Sequence, residues 1–141
     1  MDTKEFPIIK AGLFISWGSD YDSINEAITK QLAIEPNETR SKGYCPVEEF
    51  NLNYWGIEER AVNCKAISYQ TDKIIMRFHG KEATINRLVK EYNLSVSISI
   101  IVHAESGDGP EIVLTKSFVQ FAASIDAEVG FDMYYYEAED A

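Results

Sequence analysis

The side chains with the widest chemical repertoire in these 141 residues are two cysteines, Cys45 and Cys64, and two histidines, His79 and His103. Together they hold the donor atoms of a zinc site, but no two of them stand about two to four residues apart, the spacing that seats paired ligands in structural sites. A cysteine nucleophile needs a histidine beside it in space to take its proton, and the sequence separations here neither impose nor forbid that. His79 precedes Gly80 and His103 closes a strand-like stretch, positions that suit hydrogen-bonded structural histidines. Glu48 adjoins Glu49 and Glu58 adjoins Glu59, yet adjacent side chains point to opposite faces of a strand and diverge by about 100° on a helix, so neither pair converges on a substrate. Glu105, Ser106, Gly107, Asp108 and Gly109 supply oxygens to a turn without the regular one-three-five placement of a calcium loop. The expectation is no catalytic residue, no metal and no cofactor.

His103 also belongs to a second constellation. From 94 to 103 the residues alternate, with Leu94, Val96, Ile98, Ile100 and Val102 on one side and Ser95, Ser97, Ser99, Ile101 and His103 on the other. A period of two over this length is a strand with one aliphatic face and one mostly small and polar face. Near the C-terminus, Val129, Phe131, Met133 and Tyr135 alternate with Gly130, Asp132, Tyr134 and Tyr136. Pairing the polar sides of the two strands assembles a candidate partner-binding face of Ser97, Ser99, His103, Asp132, Tyr134 and Tyr136, a mixture of tyrosine and small polar groups that suits protein recognition. Two other readings stay open: a second helix covers this face, or the mate of a homodimer does.

The remaining elements must hold those strands. Residues 8–17 are rich in β-branched and aromatic types and stop at Gly18, which predicts the first strand. A helix follows, capped by Ser19 or Asp20 or one turn later by a Ser23 and Glu26 box, with Ile24, Ala27, Ile28 and Leu32 as its apolar stripe and Pro36 as its end. Residues 37–46 read as a loop, and 50–58 as a second strand with mixed faces, weakened by Gly56 and suited to a sheet edge. Past the polar stretch 58–65, Ile67, Ile74, Ile75 and Phe78 predict one helix and Ile85, Leu88, Val89 and Tyr92 another, with a break at Gly80 and a stop at Asn93. Thr115 caps a last helix carrying Phe118, Val119, Ala122 and Ile125. This order predicts a single α+β domain over 1–141 with a mainly antiparallel four-stranded sheet and helices on one face, open to a ferredoxin-like duplicated layout, and a frayed acidic tail at 137–141.

Composition bounds the function. The length suffices for a core without disulfides, two thiols make no disulfide framework, and residues 1–10 lack the basic start and apolar core of a secretory signal, so a cytoplasmic protein is expected. The net charge of −10 is uneven: from Glu91 onward ten acids face the single base Lys116, leaving −9, and the first ninety residues carry −1. Such a field opposes nucleic acid and membrane phosphates and favours a basic protein partner, although acidity also serves solubility alone. The leading expectation is a non-enzymatic interaction domain, for instance an acidic immunity-type protein that covers a basic toxin. The alternative is a small-ligand-binding or regulatory domain, with its pocket between helices and sheet or at a subunit interface. An enzyme would need a cleft of paired titratable groups that the chain does not advertise.

The strand ending Phe14, Ile15, Ser16, Trp17 and Gly18, the segment Leu32, Ala33, Ile34, Glu35 and Pro36, the Gly43 loop, and Trp55 resemble an uncharacterised bacterial family, domain of unknown function 4279 (DUF4279). The resemblance runs through the aliphatic strand from Leu94 to the closing Asp132, Met133, Tyr134 and Tyr135. It implies fold and boundaries, and carries no activity, cofactor or catalytic residue. With no ligand spacing for a transition metal, chelator should leave the melting temperature unchanged, and a stoichiometric zinc signal in elemental analysis would refute this.

Overall fold

The computed structural model describes residues 5–43 and 51–137. In chain order the elements are β1 (Ile8–Trp17), α1 (Tyr21–Leu32), β2 (Glu38–Arg40), β3 (Asn53–Glu58), β4 (Val62–Asn63), α2 (Ser68–Arg77), α3 (Glu82–Tyr92), β5 (Ser95–Glu105), α4 (Lys116–Ser124) and β6 (Glu128–Tyr136). Cys45, the Glu48 and Glu49 pair, Phe50 and the tail beyond Glu137 lie outside the described residues. Among the described residues no helix is long and apolar enough to cross a membrane.

The alternation read from β5 is the one observed. Val96, Ile98, Ile100, Val102 and Ala104 are buried, whereas Ser97, Ser99, Ile101 and His103 are only partly covered. On β1 the buried set is Ile9, Ala11, Leu13, Ile15 and Trp17, and on β3 it is Trp55 and Ile57. Against this face pack Ile24, Ile28 and Leu32 of α1, Ile74 of α2 with Phe78 behind it, Ile85 and Leu88 of α3, and Phe118, Phe121 and Ala122 of α4. The result is a two-layer α+β domain with its helices on one side of the sheet. On α4 the inward aromatic is Phe121 rather than Val119, which is 49% exposed. Counting from Phe118, the +3 and +4 positions are Phe121 and Ala122, and Val119 turns away.

The sheet is larger than four strands and is mixed. Its order is β2-β3-β1-β5-β6, with β4 also on β1. All these pairs are antiparallel except β5 with β6, which is parallel. The parallel sense follows from the α4 crossover, since strands joined through a helix can run the same way while a tight turn forces them to oppose. The first half shows the same sense: α1 joins β1 to β2, and because β3 between them is antiparallel to both, β1 and β2 also run parallel, though they are not neighbours.

The second strand is interior rather than an edge. β2 pairs with it, setting Thr39 against Trp55, although every residue of β2 is exposed, so no apolar period marks it. β4 likewise emerges from a polar stretch to pair Val62 with Ile9. Between β3 and β4 the chain turns Glu59 inward, where Arg77 Nε donates to both carboxylate oxygens at 2.7 and 2.9 Å. This bond holds the Arg77 guanidinium above its usual pKa range. The buried Gln70 side chain donates to Ile9 O and Arg60 O, both at 2.8 Å, and so closes the gap left in the ladder.

Local signals terminate the helices as expected, with one exception. Asp20 accepts from Ser23 N at the start of α1 and Thr115 from Phe118 N at the start of α4. Asn93 ends α3 in the left-handed conformation at φ 56°, and Gly80 at φ 77° breaks α2 from α3. However, α1 ends at Leu32 with Ala33 left-handed at φ 57°, before Pro36, and Lys81 Nζ donates to the freed Leu32 carbonyl at 2.5 Å. Gly56 does not merely weaken its strand: a Cβ there would collide with the Phe14 ring, which lies over the bare backbone on the face away from the helices.

Ile98→Ala should cost about 2–5 kcal/mol in urea titration and Ser97→Ala little, and equal losses would refute the facing assignment. Arg77→Met, which strands the Glu59 carboxylate among apolar groups, should cost about 1–3 kcal/mol by the same measurement.

Candidate functional site

The parallel register of β5 with β6 sets Ile101 beside Asp132, His103 beside Tyr134 and Glu105 beside Tyr136. Because side chains alternate across each strand, these residues share the face that carries no described helix. The His103 imidazole lies 4.9 Å from the Tyr134 ring at 13° and 5.8 Å from the Tyr136 ring at 12°. Its Nδ1 stands 2.8 Å from the Tyr136 hydroxyl. Phe6, just ahead of β1, stacks on Tyr136 at 5.3 Å and 25°. The four rings make a near-parallel group along one end of the sheet.

These rings border a recess of about 390 Å³, completed by Ile8, Lys10, Ala61 and Ile101. It lies on the helix-free face, whereas Trp55, Phe78, Phe118 and their neighbours pack the helix side. Lys10 Nζ lies 3.1 Å from Glu58 Oε1, so the cation at the recess already has a carboxylate partner. Farther along the same strands, Ser97, Ser99 and Asp132 line a second groove of about 270 Å³ with Glu128 and Gly130. The six residues singled out by alternation therefore share one face in two groups, His103 with Tyr134 and Tyr136 in the recess, and the serines with Asp132 beside it.

Phe6, Ile8, Lys10 and Ala61 escaped the sequence reading. Ile8 meets His103 and Lys10 meets Ile101 only through the β1–β5 register, which two separate stretches do not announce. Parity within the first strand could have placed Ile8 and Lys10 with Phe14, opposite the core residues Ile9 and Leu13. No local signal marks Ala61.

Chemically, the face offers aromatic rings for stacking and for cation–π contact, with the carboxylates of Glu105, Glu128 and Asp132 nearby. Of the groups weighed for catalysis or metal binding, His79 is exposed beyond α2. Cys64 carries a free, half-buried thiol that donates to Ala66 O at 3.6 Å, and burial pushes its pKa up, away from a reactive thiolate. Among the described residues no three of histidine, cysteine, aspartate and glutamate are grouped as metal ligands would be. The Glu105–Gly109 turn closes on itself, with Asp108 N donating to Glu105 O at 3.0 Å.

No curated protein and no solved structure matches the chain. A family model does match, over residues 17–136, which takes in every element from the end of β1 through β6. The chain thus belongs to the family described as Domain of unknown function (DUF4279).

Proposed function

We propose that this protein is a non-enzymatic interaction domain that engages a basic protein partner through the helix-free face of β5 and β6, in the manner of an immunity-type protein covering a cationic surface. The observation that carries this reading is the stacked group of Phe6, Tyr136, His103 and Tyr134 standing beside carboxylates on the face that carries no described helix. Tyrosines 49% and 43% exposed at Tyr134 and Tyr136 offer large contact area with only two rotatable side-chain bonds each, so ordering them at an interface costs little entropy. Their rings attract arginine and lysine, and the −9 carried from Glu91 onward adds long-range attraction for the same partners. A cytoplasmic protein that neither spans a membrane nor binds nucleic acid fits this charge.

A second reading is favoured by the recess itself, whose volume of about 390 Å³ lies in the range of small-molecule sites. A planar ligand held against the rings that line the recess would need those rings but not the acidic field.

The two readings separate in a binding experiment on a basic partner captured from cell extract at low salt. On the interaction reading, neutralising Glu128, Asp132 and Glu137 as the amides should slow association and flatten its salt dependence, because ions screen such fields over about 8 Å at physiological strength. Tyr134→Ala and Tyr136→Ala should instead speed dissociation. Association unchanged by neutralisation at every salt concentration would refute the interaction reading.

A further inference from the structure

β6 ends the sheet. Its nine residues from Glu128 to Tyr136 pair with β5 on one side, and among the described residues no strand lies on the other. Tyr136 O accepts from Ser106 N at 2.8 Å and so faces the β5 side. In an extended strand the N–H and C=O of one residue point the same way and successive residues alternate, so Val129, Phe131, Met133 and Tyr135 present theirs outward. The usual protections of a sheet edge are charged side chains, lysine above all, proline, a bulge or a very short strand. On β6 the charges are the two carboxylates Glu128 and Asp132, which repel acidic chains but not basic ones. β6 has no lysine or proline, its register with β5 is continuous, and it is long, unlike the three-residue β2 at the opposite edge.

We propose that the free edge of β6 accepts an extended segment of a partner protein as an added strand, and that this segment alternates arginine or lysine with apolar residues. This rests on the interaction reading above and specifies its geometry. The alternation follows from the two faces that the added strand would continue. On the helix-free side its neighbours are Glu128, Asp132, Tyr134 and Tyr136, which select cationic side chains. On the helix side they are Val129, Phe131, Met133 and Tyr135, of which Phe131 and Tyr135 are 37% and 54% exposed, and these select apolar ones. A second copy of the chain is disfavoured as the occupant, because two-fold pairing of β6 with itself sets like charges of an already −10 protein against each other without a lysine or arginine on either strand.

The test uses a short acetylated, fluorescently tagged peptide of alternating arginine and valine, the same peptide N-methylated at alternate backbone nitrogens, and a peptide of equal composition with the arginines and valines in separate blocks. Binding to the full chain is read by anisotropy and by amide hydrogen exchange. The alternating peptide should bind saturably and protect the amides of Phe131, Met133 and Tyr135. N-methylation along the paired edge and the block arrangement should each weaken binding about tenfold or more, since several backbone hydrogen bonds are lost or misaligned. Phe131→Pro, which deletes an outward N–H while leaving the pairing to β5, should weaken it comparably. Undiminished binding of the N-methylated or block peptide would overturn strand addition while leaving a basic-partner face standing. Failure of the alternating peptide to bind, or a dimer in sedimentation that Phe131→Pro dissolves, would overturn the proposal as well. Equal binding of an alternating glutamate and valine peptide would instead overturn the charge argument, and with it the interaction reading.

Discussion

A strand whose side chains alternate between aliphatic and small polar types can be satisfied only where one side of its sheet is packed dry and the other is left to water. β5 places that condition at the middle of this fold. It contributes Val96, Ile98, Ile100, Val102 and Ala104 to the core, and it pairs with β1 from Ser95 to His103, so β1 must show the same division. Ile9, Leu13, Ile15 and Trp17 then point to the helices, while Lys10, Phe14 and Ser16 point away. Burying the aliphatic side chains of two long strands supplies the main driving force, at about 25 cal/mol per Å² of apolar area removed from water. The four described helices are drawn to one side by it.

The bare face is a consequence of that asymmetry, and it is not uniform. Over β1 and β3 it is closed by Phe14, which lies against the backbone of Gly12 and Gly56 and meets Tyr54 edge-on at 5.7 Å. Over β5 and β6 the side chains stand free, with the rings of Tyr134 and Tyr136 on either side of His103. Both the ring group and the open strand edge therefore fall on the β5 and β6 side of the sheet, where Phe131 remains partly exposed. Large exposed apolar groups beside unpaired backbone are a hazard of association that folded proteins usually suppress, and here they coincide with a field of one sign. That coincidence is what the proposed preference for a cationic, extended chain rests on.

Much of this was legible before any coordinates. The period of β5 and of β6, the apolar stripes of the helices, and the caps at Asp20, Asn93 and Thr115 are local properties, set by the stereochemistry of residues a few positions apart. Parity alone placed Ser97, Ser99 and His103 on one face of their strand and Asp132, Tyr134 and Tyr136 on one face of theirs. The family resemblance rested on such stretches as well, from Phe14 to Tyr135.

Pairing was decided elsewhere. β2 and β4 are strands because β3 and β1 offer them backbone partners, and a hydrogen-bonded ladder needs no apolar side chain to form, so Glu38, Thr39 and Arg40 leave no trace in a hydropathy pattern. The parallel sense of β6, the interior position of β3, and the meeting of Phe6, Ile8 and Lys10 with His103 likewise depend on register between segments as much as a hundred residues apart. Alternation within the sequence determined which side of each strand would face water. Only the tertiary pairing decided which strands would stand side by side, because that choice is made by contacts between distant segments and is written in neither of them alone.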